Sequence, residues 1–177
     1  VPIGLLQGAR RNGVADYLLT GLIFLFYATP VFLLAMLLIL VFAVKLPILP
    51  PTGPTGTSVA EILSQPLSLV LPVVTVALLT LALFSRYVRA SVIDNLAEDY
   101  VRTARARGLS ERGVLFGHVL RNSLLPLVSL LGLMAPGILA GTMITEYVFN
   151  FPGMGLLFYE SLQQYDFAPV LATILLV

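Results

Sequence analysis

The stretch RYVRASVIDNLAEDYVRTARARGLSERGVLFGHVLR, residues 86–121, holds seven of the ten basic residues of the chain. Uncharged runs flank it at 62–85 and 122–145, each long enough to cross a bilayer as a helix. An Arg at the centre of a membrane helix costs about 2.5 to 3.5 kcal/mol on insertion scales, so this basic segment must stay at the surface. Because orientation follows where Lys and Arg fall, that surface is the cytoplasmic one.

Composition agrees with that reading. The chain is 58% hydrophobic and 11% charged, with a mean hydropathy of +0.98, whereas soluble domains carry about 25% charged residues. A polytopic, all-α membrane protein follows. With no cysteine, disulfides and thiolate metal sites are excluded, and the single histidine, His118, cannot build a metal site unaided. The sequence begins with Val1 and stops inside an apolar run, which reads as a segment of a longer polypeptide.

Residues 17–44 carry no charge and form the first span, about 42 Å long as a helix against a hydrocarbon core of about 30 Å. Pro30 lies near its middle and predicts a kink. The second span, 62–85, contains Pro66 and Pro72; the third, 122–145, contains Pro126, Pro136, Gly132, Gly137 and Gly141. A truncated span starts near Phe167. The Pro- and Gly-rich segment 45–65 reads as an exposed loop with one basic residue, and 146–166 carries three acids and no Lys or Arg. Both lie outside by the positive-inside rule, while Arg10 and Arg11 lie inside with residues 86–121. Residues 1–177 are expected to form one transmembrane domain.

Within the basic segment, residues 98–107 are good helix formers. Val101, Ala104 and Ala106 with Leu109 make one weakly apolar side, and Arg102 and Arg105 project from another. Gly108 suits the left-handed residue that closes such a helix, and Ser110 is a cap for a second helix from Glu111. Two short surface helices around a Gly turn are predicted. Read alone, they form an anchor of arginines. Nucleic-acid binding is disfavoured, because the cluster is tethered to the bilayer and lacks interleaved aromatics.

The wording of the segment is more specific. Glu98-Asp99-Tyr100-Val101-Arg102-Thr103-Ala104-Arg105-Ala106-Arg107-Gly108-Leu109-Ser110-Glu111, followed by residues 118–126, resembles the cytoplasmic loop of ABC importer permeases. The resemblance is to the dipeptide, oligopeptide and nickel branch, and to the first of its two permease subunits. Residues 1–6 with Ala9-Arg10-Arg11, then Pro30-Val31-Phe32, residues 86–91 and residues 146–155 agree with it. One departure stands out. Where the wider superfamily has Glu and Ala in its Glu-Ala-Ala loop, this chain has Arg102 and Thr103, and only Ala104 matches.

The resemblance implies a type I ABC importer permease fold with short cytoplasmic coupling helices, in a prokaryotic cytoplasmic membrane. It further implies that the helix from Glu98 and Asp99 through Tyr100 to Gly108 docks on a separate ATPase subunit. Small Ala104 and Ala106 would allow close approach, and Arg102, Arg105 and Arg107 would offer forked donors. The partners implied are a second permease subunit, two ATPase subunits that use ATP and Mg, an extracytoplasmic solute-binding protein, membrane lipid and a small peptide. Nickel complexes or another small solute are alternatives. This chain itself has no phosphate loop and no carboxylate pair at catalytic spacing, so neither an enzyme activity nor a bound cofactor is expected.

On the outer side, Glu146 is an interfacial carboxylate or a pathway residue facing a peptide amino group. Tyr147, Phe149 and Phe151 read as an aromatic belt. Pro152-Gly153-Met154-Gly155 cannot continue a regular helix and predicts a tight turn near an outer gate. Gly137 and Gly141 form a small face for helix packing. Thr75, Thr80 and Thr142 are expected to bond back to their own helices. The rival classes are a membrane scaffold that docks a cytoplasmic protein, and an intramembrane enzyme.

Overall fold

The computed structural model describes residues 2–9, 13–140 and 142–176, and every regular element in them is helical. Helices α1 (Pro2–Ala9), α2 (Val14–Ala28) and α3 (Val31–Ile39) come first, and a π-helical stretch, Leu40–Lys45, prolongs α3. A short α4 (Val59–Leu63) precedes the long α5 (Pro66–Leu96). Then come α6 (Asp99–Ala106), α7 (Glu111–Val114), a second π-helical stretch (Leu115–Val119), α8 (Leu120–Ser123) and α9 (Leu125–Ala140). Helices α10 (Met143–Phe149), α11 (Met154–Gln163) and α12 (Phe167–Leu176) close the chain. Arg10, Arg11 and Gly141, used above for topology and packing, lie outside the described residues.

Helix limits and charge limits do not coincide. The uncharged run ends at Ser85, yet α5 continues to Leu96, and the helical path of the next crossing begins at Glu111 rather than at Asn122. Charge sets where hydrocarbon ends. Backbone hydrogen bonding ends only where the sequence offers a breaker, and residues 86–96 contain neither Pro nor Gly. Much of the segment read as a loop is therefore helical extension of the spans. Pro66 stands at the first position of α5, where its missing N–H is harmless, and Pro72 is accommodated inside the helix. Pro30 ends α2 instead of merely kinking it, with extended backbone at ψ 139° before α3 resumes.

Two helical stretches, Pro66–Leu96 and Glu111–Met134, are long and apolar enough to cross a membrane. The pair Asp16–Ala28 and Val31–Lys45 makes a third if it is counted as one broken span. The run 122–145 is not a single helix, since α9 ends at Ala140 and α10 starts at Met143.

The chain divides into two compact units, 1–28 with 80–133 and 29–79 with 134–177. In the first, Leu5, Val88, Val92, Val101, Ala104, Val114, Val119 and Leu127 form the core. Val114 and Val119 are five apart across the π-helical stretch, the spacing that keeps both on one face when hydrogen bonds run from i to i+5. Each fully buried valine contributes roughly 1.5 to 3 kcal/mol relative to exposure in water. Gly4 and Gly8 let α1 lie directly on α5: a Cβ at Gly4 would sit 2.6 Å from the Ser85 carbonyl oxygen, and one at Gly8 2.5 Å from Val92. That pair is the close-packed small face. Gly137 meets only open space.

In the second unit, Ala35, Leu71 and Phe149 form the core, and α10 packs on α3 and α11 while α11 packs on α12. The 45–65 loop is pinned by its own polar groups. Gln65 Nε2 donates to the Thr55 carbonyl at 2.6 Å, and Ser58 with Glu61 forms a capping box on α4. Thr75 Oγ1 donates to the Leu71 carbonyl of its own helix at 2.8 Å.

Candidate functional site

The element expected from its charge to face the cytoplasm is built on α6. Its backbone follows from the local chemistry: Gly108 takes φ +81°, and the Leu109 and Gly108 amides donate to the Ala104 and Arg105 carbonyls, the paired bonds of a Schellman cap. Ser110 Oγ then accepts from the Gly113 amide at 3.2 Å and caps α7.

One face of α6 belongs to the protein interior, with Val101 fully buried and Ala104 nearly so. The small side chain of Ala104 thus serves packing within this chain, while Ala106 and Leu109 are exposed. Tyr100 is half-buried, and its hydroxyl donates to Asn95 Oδ1 at 2.8 Å, tying the start of α6 to the end of α5. Arg102, Thr103, Arg105, Arg107 and Gly108 are exposed. Two of the arginines already have intramolecular partners: Arg102 Nη1 donates to Asp99 Oδ1 at 3.2 Å, and Arg105 grips Glu111 through both carboxylate oxygens at 2.8 and 3.1 Å. The Arg105 hydrogen bonds hold the Glu111 carboxyl below the usual carboxylate range, and Glu111 in turn raises Arg105. This ion pair bridges the Gly108 turn and joins α6 to α7. His118 is exposed on the π-helical stretch that follows.

The residues expected near an outer gate, Glu146, Phe149, Pro152, Gly153 and Gly155, fall together at the α10–α11 junction. Glu146 is buried, 7% exposed. Its Oε1 accepts from the Thr142 amide at 3.0 Å and its Oε2 from the Leu156 amide at 2.9 Å. The carboxylate thereby satisfies the first turns of both α10 and α11, where orphan N–H groups and helix dipoles favour negative charge. Gly153 packs against that carboxylate so closely that any Cβ would collide with it, and a Cβ at Gly155 would sit 2.5 Å from the Met143 Cα. Asn150, at φ 49°, closes α10 with a second Schellman pair, from the Phe151 amide to Glu146 and from the Asn150 amide to Tyr147. Phe149 is fully buried, and its carbonyl accepts from the Gly53 amide at 2.6 Å. Of the aromatics, Tyr147 stacks edge-on with Tyr159 at 4.8 Å. Pro152 is exposed.

One polar cluster was not singled out from the sequence. Asp16, 3% exposed in α2, receives both Arg89 Nε and Nη2 from α5, at 3.0 and 2.9 Å. Thr20 donates to the same carboxylate, and Gln7 of α1 donates to Thr20 at 2.9 Å. Half of the signal was present: Asp16 borders the uncharged run 17–44, and a charge at such an edge needs a partner, but nothing in the sequence selects Arg89 over Arg86. Among the described residues no group of three or more His, Cys, Asp or Glu side chains is placed to hold a metal ion.

The whole chain, residues 1–177, matches the family model described as binding-protein-dependent transport system inner membrane component. It is 39% identical over 171 residues to the dipeptide transport system permease protein DppB of Bacillus subtilis (strain 168), covering 97% of this chain and 53% of that protein. The oligopeptide transport system permease protein AppB of the same organism is 38% identical over 174 residues, with 97% and 55% covered. The glutathione transport system permease protein GsiC of Escherichia coli O1:K1 / APEC is 38% identical over 173 residues, with 98% and 54% covered. The chain spans about half the length of these curated relatives. A chain with two to three stretches long and apolar enough to cross a membrane among its described residues, a cationic α6 hairpin between two of them and a full-length family match belongs to the inner-membrane components of binding-protein-dependent transport systems, the ABC importer permeases, in their peptide/nickel branch.

Proposed function

We propose that this chain is the permease part of an importer that moves a small peptide across the cytoplasmic membrane by alternating access, driven by separate ATPase subunits. Its α6 and the Gly108 turn dock on an ATPase, and closure of two such ATPases around ATP and Mg is passed to the membrane helices. A second permease subunit completes the pathway, and an extracytoplasmic solute-binding protein delivers the cargo. The named relatives act on dipeptides, oligopeptides and glutathione, all small peptides, which favours that class over nickel complexes.

The observation that carries this reading is the two-sidedness of α6. Val101 and Ala104 are seated in the core that also holds Val88 of α5 and Val119 and Leu127 of the next crossing, while the arginine face stays outside. A push on the exposed face is therefore delivered through packed side chains to two membrane-crossing stretches, as a rigid lever requires. The outer corner held by Glu146 acts as a rigid part of the external gate, with Phe149 and the Pro152 to Gly155 turn fixed to it.

Site-directed crosslinking tests the docking. Cysteines at Ala106 and Arg107 in the full-length chain, co-expressed with its ATPase subunits, are expected to give nucleotide-sensitive crosslinks, and a cysteine at buried Val101 none. Accessible probes that reach no ATPase in any nucleotide state refute it.

A further inference from the structure

The first unit contains a cavity of about 480 Å³ lined by residues of α1, α2 and α5, among them Gln7, Phe24, Tyr27, Leu83, Arg86 and Tyr87. Arg86 lies one residue beyond the uncharged run of α5, at the edge of the hydrocarbon. Its guanidinium carbon stands 4.2 Å from the centroid of the Tyr27 ring. All nine acids of the chain are among the described residues, and none of them pairs with Arg86, whereas Arg89 one turn on is matched by Asp16. A ring face attracts a cation but does not neutralise it. Gln7 is 2% exposed; its amide nitrogen is used on Thr20, and its Oε1 has no hydrogen-bond partner among the described residues. The cavity thus presents an unmatched cation, a buried acceptor that lacks a donor, and an apolar wall of Leu83 and the 62% exposed Phe24.

We propose that this cavity binds the headgroup of an anionic glycerophospholipid. The phosphate oxygens accept from Arg86, a headgroup hydroxyl or ammonium donates to Gln7 Oε1, and the first part of an acyl chain lies along Phe24 and Leu83. A membrane lipid fits better than a free solute because the charge and the apolar wall adjoin in one recess, and because Phe24, Tyr27 and Tyr87 are 62%, 46% and 47% exposed on helices bordering uncharged, membrane-length runs. Basic recesses between helices on the cytoplasmic side are the places where anionic headgroups bind. The inference stands on the membrane placement of the chain and is independent of which solute is transported.

Native mass spectrometry of the full-length chain in detergent, with added phosphatidylglycerol or phosphatidylcholine, tests it. The wild type is expected to retain phosphatidylglycerol about fivefold better, the factor for one basic residue near an anionic surface. Arg86→Gln should abolish that preference, Arg86→Lys should keep most of it, and Gln7→Leu should reduce it. Arg112→Gln, at an exposed arginine elsewhere, should leave it unchanged. Equal retention by Arg86→Gln, or an equal loss in Arg112→Gln, overturns the site. Displacement of the lipid by millimolar inorganic phosphate overturns the lipid as its source and leaves a phosphate site.

Discussion

Glu146 illustrates how one side chain can look peripheral in sequence and prove structural. Its position after an uncharged run suggests an aqueous edge, but both carboxylate oxygens are consumed by amides that begin two different helices. Glu146→Ala orphans the buried Leu156 amide, which costs about 1 to 3 kcal/mol, and releases the amide of Thr142, an exposed residue that water can reach. Gly153→Ala collides with the same carboxylate and with nothing nearer. The two substitutions should therefore be strongly non-additive in thermal unfolding of the full-length chain, with Gly153→Ala far milder in the Glu146→Ala background. Additive losses would show that the clash is not the operative contact. Glu61 gives a pH prediction. The Thr57 and Ser58 amides hold its carboxyl below the usual range, so the native pKa lies below the unfolded one. The stabilisation is complete above the unfolded pKa and disappears as pH falls through the native value. Amide protection at Thr57 and Ser58 in the wild type should exceed that in Glu61→Gln at neutral pH and converge with it in acid.

Among the helices, α6 was the most legible, because its signals are local: a left-handed glycine, a serine cap and a 3–4 apolar spacing all lie within 98–111. Gly108 at φ +81° has open space around it, so a side chain there is opposed by backbone conformation alone. Gly108→Val should cost about 1 to 2 kcal/mol locally. It should lower uptake more than ATP hydrolysis, while Gly108→Asn, which tolerates the left-handed region, should retain most coupling. Equal uptake in Gly108→Val and wild type would remove the turn from the lever. The ends of α5 and the start of the 111–134 stretch were less legible. Charge marks the limit of hydrocarbon, and a helix without breakers does not stop there. Pro30 was read as a kink and is a break; the same missing N–H serves either outcome, and the packing on each side decides between them.

For the molecule as a whole, the reading rests on force passing from an exposed arginine face to membrane-crossing helices. Reversing Arg102 and Arg105 together to Glu should abolish substrate-stimulated ATP hydrolysis and uptake in the reconstituted importer while leaving membrane insertion intact. Arg105→Glu also breaks the bridge to Glu111. Exchanging the two charges, Arg105→Glu with Glu111→Arg, therefore separates the cases: recovery of uptake assigns Arg105 to the internal bridge, and continued loss assigns it to docking. By itself the sequence determined the helical membrane class, the α6 hairpin and the family resemblance. These rest on composition, on charge position and on hydrogen bonds between residues close in the chain. Only the tertiary structure decided that Asp16 meets Arg89 across 73 positions, that Gly4 and Gly8 carry close packing, and that Glu146 is buried. Such pairings join distant segments, and no local propensity encodes which partner a buried charge or a bare backbone will find.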